Sequence, residues 1–229
     1  MKKVHSIIEV IRDESAQGNK DWQIVTGQEQ FRHPDYFRHK ETGAEYSWIS
    51  GGLAWHVLAE GKEGCAVVVG CSRNDKPKFS VVDAGFSMTP KGVIQECVRL
   101  RDKWNGGSSA LFSSFAGPYE LYDRTLIEIN NELEEGNPKQ CRIILRNPPD
   151  FEKQEADQTY LNTVKELSMD SKLRIDVVTV KDALKRMTEQ DADKKLSDSP
   201  AVAAVAYVLY EMITIKPWRS DGAGPILLV

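Results

Sequence analysis

The side chains able to do chemistry in this chain are scattered, and few stand at spacings that chemistry demands. His33, His39 and His56 with Asp35 are raw material for a metal site. His33 and His39, however, are six residues apart in a loop-like stretch, which fits no regular ligand spacing, so packed or solvated imidazoles are the better reading. Ser50-Gly51-Gly52 could cradle a phosphate, but it lacks the downstream Gly and Lys of a P-loop. A bulge or tight bend between two apolar stretches accounts for it better. Ser113 and Ser114 lack the G-x-S-x-G setting that exposes a nucleophilic hydroxyl. Cys65, Cys71, Cys97 and Cys141 contain no C-x-x-C pair and each sits in an apolar pattern, which predicts buried free thiols.

Two features bear on binding and on helix ends. The stretch 31–40 (Phe-Arg-His-Pro-Asp-Tyr-Phe-Arg-His-Lys) mixes aromatic and basic side chains. Such a mixture stacks on bases and pairs with phosphates, or packs as an N-terminal arm on a sheet; packing is the stronger reading. Arg32, Tyr36, Arg38 and Lys40 are its candidate contacts for nucleic acid or a partner. Asp198 precedes Ser199-Pro200, a helix start with Ser at the N-cap, Pro at the first helical position and an acid favoured by the helix dipole. Asp83 reads as a turn former closing a strand.

The elements that must position these residues follow from periodicity. Val4, Ile7, Ile8 and Ile11 predict a short N-terminal helix. Trp22 to Val25 and Tyr46 to Ile49 read as strands. Runs 65–71 and 78–83 form an antiparallel hairpin across a turn-rich loop. Thr89-Pro90 caps a helix whose Val93, Cys97, Leu100 and Trp104 share one face. A strand at 109–113, a helix from Gly117-Pro118, a strand at 141–145 and a helix around 154–168 follow. Leu173 to Val180 reads as a strand and Lys181 to Lys195 as a charged, exposed helix. The helix over 200–213 is apolar nearly all round and so must lie buried between other elements. The apolar end 225–229 docks on the domain or on a partner. Alternating strands and helices of this kind predict a mixed or parallel α/β sheet.

Composition narrows the function classes. The chain has 229 residues, 28% charged and 41% hydrophobic, with a net charge of -4. That balance argues against sequence-independent nucleic-acid binding by the whole surface. The longest apolar run, Ala201 to Tyr210, is about half the ~20 residues a membrane span requires, and no signal peptide is visible. A soluble, cytoplasmic protein without membrane contact is expected.

The order of elements resembles the ribonuclease H-like fold and, within it, the nuclease domain of phage terminase large subunits. Three passages carry the resemblance. The runs 66–70 and 79–84 look like the family's paired second and third strands, Thr89-Pro90 through Trp104 looks like its first helix, and Ser197 through Tyr207 looks like its closing Asp-Asp-x-x-Asp-Ala-Leu-Ala helix. The resemblance covers residues 46–215, leaving an N-terminal extension at 1–45 and a C-terminal tail at 216–229. It implies a mixed sheet with flanking helices. It also implies carboxylates holding a pair of divalent metals, Mg²⁺ or Mn²⁺, that stabilise the attacking and leaving oxygens of phosphodiester hydrolysis. On that reading Asp83 and Asp198 are the metal-binding catalytic acids and Glu60 a third. The pattern departs from the family in two strands. Residues 46–58 offer Trp48, Ser50, Trp55 and His56 where an acid is expected, and 110–115 offers Ser113 and Ser114. Two expectations result: a metal-dependent DNA nuclease of phage or prophage origin with a degenerate site, meeting DNA and other phage packaging proteins, or a non-catalytic interaction module that kept the fold.

Overall fold

The computed structural model describes residues 10–12, 22–26, 36–40, 42–54, 64–72, 78–105, 111–112, 127–128, 130–131, 144–145, 156–189 and 195–215. At its centre is the antiparallel meander β4 (Glu45–Ala54), β5 (Gly64–Ser72) and β6 (Phe79–Ser87). Strand β5 is buried along nearly its whole length, because both faces are covered by helices. That is why Cys65-Ala66-Val67-Val68-Val69 is a continuous apolar run and does not alternate. The hairpin expected at 65–71 and 78–83 is therefore present, with β6 running further, to Ser87.

The other edge of β4 is shared by two strands. Short β3 (Tyr36–His39) pairs antiparallel with its start, Arg38 opposite Glu45 and Phe37 opposite Tyr46. Further along, β7 (Leu111–Phe112) pairs in parallel, Phe112 opposite Gly51, and β8 (Ile144–Leu145) pairs in parallel with β7. The sheet thus forks at β4. One branch continues through β3 to β2 (Trp22–Thr26) and β1 (Val10–Arg12), and the other through β7 to β8. Beyond β6, β9 (Leu173–Ile175) adds in parallel. An antiparallel meander with parallel strands added beyond its first member gives the mixed, helix-flanked α/β sheet that the family resemblance implies.

Helix α1 (Pro90–Asn105) begins as expected, with the Gly92 amide donating to Thr89 Oγ1 at 3.1 Å. Its buried face carries Val93, Ile94, Cys97, Leu100 and Trp104. Helices α2 (Ala156–Met169) and α3 (Val178–Glu189) form an outer layer over α4 (Pro200–Ile215). Helix α4 lies between that layer and the sheet, so Ala201 through Leu209 are all buried, the position its all-round apolar sequence requires. Tyr160 of α2 meets Tyr207 and Tyr210 edge-on, at centroid distances of 5.0 and 4.8 Å. Ser199 caps α4, its Oγ accepting from the Val202 amide at 3.4 Å. Among the described residues no helix is long and apolar enough to cross a membrane.

Several sequence expectations are corrected. Val10–Arg12 is strand, not the end of a helix, because the β-branched Val10-Ile11 pair finds a ladder in β2; residues 4–9 lie outside the described part. Ser50-Gly51-Gly52 does not interrupt β4, which runs straight through; its register irregularity falls between Tyr46 and Trp48. Asp83 does not close a strand but lies in the middle of β6. Strand β9 stops at Ile175 and α3 starts at Val178, although Val177-Val178-Thr179 is β-prone. Tertiary pairing overrides propensity here, since the β9 ladder ends opposite Val81, where β6 changes register. Helix α3 is charged outside only: Val180, Leu184 and Met187 are buried at i, i+4 and i+7. The stretch 117–133, described at four positions only, is helical at those four, and the tail 216–229 lies outside the described residues.

Candidate functional site

The positions that matter are those of β4 and β6, and their faces are fixed by register and by contacts. Gly52 faces α4: a Cβ there would run into the Ala204 carbonyl oxygen and lie 3.1 Å from Val208 Cβ. With a period of two, Ser50 and Ala54 share that face, while Gly51 and Leu53 face the α1 side. The strand expected to bring the first acid therefore presents Ser50 and Gly52 to α4. Its own carboxylate, Glu45 at the start, takes Arg38 Nε at 2.9 Å and a second guanidinium nitrogen at 2.8 Å through one oxygen.

Strand β6 carries a bulge. Val69 pairs with Val81 but Val68 pairs with Asp83, leaving Val82 as the extra residue. Phe79 and Val81 belong to the α4-side core, and after the bulge Ala84 and Phe86 pack against that same core. Asp83 and Gly85 consequently face α1. There the Asp83 carboxylate accepts three hydrogen bonds: from Lys103 Nζ at 2.6 Å and Trp104 Nε1 at 3.0 Å on Oδ2, and from the Ala84 amide at 2.8 Å on Oδ1. Burial pushes its pKa up. The hydrogen bonds from Lys103 and Trp104, the Lys103 charge and the Ala84 amide together outweigh burial and hold the group below its ordinary value.

Asp198 lies elsewhere. It ends the 3-10 turn Leu196–Asp198, and its Oδ2 accepts from the Lys195 amide at 3.0 Å. The turn seats Leu196 in the α4-side core and leaves Asp198 exposed. Asp83 thus points from within the sheet to the α1 side while Asp198 lies on the α4 side, and each has a local partner. Glu60 and Arg32 fall outside the described residues. Tyr36 and Arg38 lie in β3, paired on both edges, and Lys40 is exposed in the turn that follows.

Among the described residues no three His, Cys, Asp or Glu side chains gather as a metal-holding group. Asp83, already bound to an ammonium, an indole and an amide and with no second described acid beside it, does not fit a divalent pair. Cys65, Cys71 and Cys97 are buried and free, as expected, and burial pushes the Cys71 thiol up to about 12 and the Cys97 thiol higher than usual as well. Sequence reasoning missed Lys103 and Trp104 as partners of Asp83. The available signal was Trp104 itself: a buried indole N–H requires an acceptor, and at 5% exposure Trp104 had to find one.

No known protein family matches the chain, and no curated protein sequence matches it. Among solved structures, the yeast mitochondrial Holliday junction resolvase Ydc2 is similar over 71% of this chain and 79% of its own, at 14% identity and a TM-score of 0.39. That similarity is too low to bear on the activity of this chain.

Proposed function

We propose that this protein is a ribonuclease H-like relative of phage terminase nucleases that works as a docking module for DNA or packaging proteins and does not cut by a two-metal mechanism. The observation that carries the reading is β4: the strand that should supply the first acid offers Ser50 and Gly52 to α4, with the helix backbone lying directly on Gly52. A hydroxyl and a hydrogen supply neither the charge nor the paired oxygens that hard divalent cations require. The commitment of Glu45 to Arg38 adds to this.

The test is plasmid cleavage in Mg²⁺ or Mn²⁺ against an EDTA control, on wild type and Asp198→Ala. No cleavage from folded protein is expected. Metal-dependent cutting that vanishes in Asp198→Ala overturns the reading. In that case the second reading holds, a phage- or prophage-derived DNA nuclease whose acids are Asp198, Glu60 and others. What favours that alternative is that Asp198 is exposed at the start of α4 on the same side of the sheet as Ser50. A cytoplasmic protein acting in phage assembly is consistent with either reading.

A further inference from the structure

The junction of β6 and α1 puts a cation against Asp83, and that cation belongs to the chain. Without the bulge at Val82, the alternation begun by Phe79 and Val81 would place Asp83 on the α4 face, the face of Ser50. The extra residue turns it to α1 instead. There Lys103 Nζ lies 2.6 Å from Oδ2 and 5.6 Å from the centroid of the Trp104 ring. Among the described side chains, the other charged groups of α1 near this part of β6 are Glu96 and Arg99. They pair with each other at 2.7 Å, and Arg99 also donates to the Ala84 carbonyl at 3.3 Å. From β5 the same face brings only Ala66 and Val68.

We infer that Asp83 is a clasp that fastens the last turn of α1 to the β6 bulge, with the Lys103 ammonium taking the carboxylate that the family resemblance would give to a divalent metal. The clasp is independent of whether the protein cuts DNA: nuclease activity found with the clasp intact leaves it standing. Lys103 sits in the last turn of its helix, where a cation is also favoured by the helix dipole. The Trp104 N–H and the Ala84 amide also donate to the carboxylate, so a metal entering here would meet three donors already in place, one of them a cation.

The test titrates the full chain with MnCl₂ alone and follows thermal unfolding, for wild type, Asp83→Asn, Lys103→Met and the double variant. The expected result is Mn²⁺ binding, or its absence, unchanged within about twofold in Asp83→Asn. Each single variant should lower the melting temperature by roughly 3–6 °C, and the double variant should lose clearly less than the sum, as coupled partners do. Mn²⁺ affinity lowered about tenfold or more in Asp83→Asn, or additive losses in the double variant, overturns the clasp. If Asp83→Asn does not fold, Lys103→Met decides. A lower melting temperature, with Mn²⁺ binding unchanged or tightened as the carboxylate is released, supports the clasp, and an unchanged melting temperature overturns it.

Discussion

Helices α4 and α1 lie on opposite faces of β5 and are held there by different means. On the α4 side the contact is apolar and made of small or aliphatic groups: Gly52 lets the Ala204 carbonyl touch the strand, and Val67, Val69 and Ala54 share a core with Ala201 through Leu209. On the α1 side an apolar seam of Val93, Ile94, Cys97 and Leu100 is finished at its end by the Asp83–Lys103–Trp104 clasp. The reason lies in depth. Helix α4 has a second helical layer over it, so a polar group facing it would be stripped of water on all sides. Helix α1 leaves Lys103 41% exposed, so an ion pair there keeps part of its hydration. Asp83 on the α1 side is bound to a half-exposed ammonium, whereas Asp198 on the α4 side lies exposed just before its helix begins.

The widest separation should come from truncating the α4 side. Leu209, fully buried, changed to Ala is expected to lose about 2–5 kcal/mol in urea unfolding, the usual cost of a core cavity. Gly52→Ala should follow at about 1–3 kcal/mol, because the added methyl meets backbone and not a side chain that can turn away. On the α1 side, Asp83→Asn should lose only about 1–2 kcal/mol near neutral pH, a charge-assisted network discounted for solvent screening. A loss as large as that of Leu209→Ala would erase the distinction between the faces.

Lowering the pH sharpens it. Asp83 has a depressed pKa, so its stabilisation is complete above the unfolded aspartate value of about 3.9 and disappears as pH falls through the lower folded value. The gap between wild type and Asp83→Asn, measured by urea unfolding, should be constant above about pH 5 and close in stronger acid. The two helices share one device, a hydroxyl N-cap. Thr89→Ala and Ser199→Ala should therefore each cost about 1 kcal/mol, with no difference between the faces.

Some of this was legible in the residues. Thr89-Pro90 and Ser199-Pro200 announce helix starts because capping chemistry is local, and the apolar run of α4 announces burial because no solvent-facing stripe is left. The β5–β6 hairpin is legible because a turn-rich loop joins two strand-like runs. Strand β4 was misread at Gly51-Gly52, since glycine signals a bend when seen alone and a close helix approach only when the helix is in place. The start of α3 was misread because Val177-Val178-Thr179 satisfies strand propensity, and only the end of the β9 ladder decides otherwise.

The site divides in the same way. By itself the sequence determined that an acid sits before the last helix, that another sits among the strand residues near 83, and that no acid occupies β4 between Tyr46 and Ala54. Residue types are written in the chain, and so are caps, which depend on neighbours three residues away. Which side of the sheet Asp83 faces was decided by the tertiary structure alone. In a strand the side-chain period is two, so one unpaired residue, Val82, reverses every position after it, and whether that residue is paired depends on a strand folded against it.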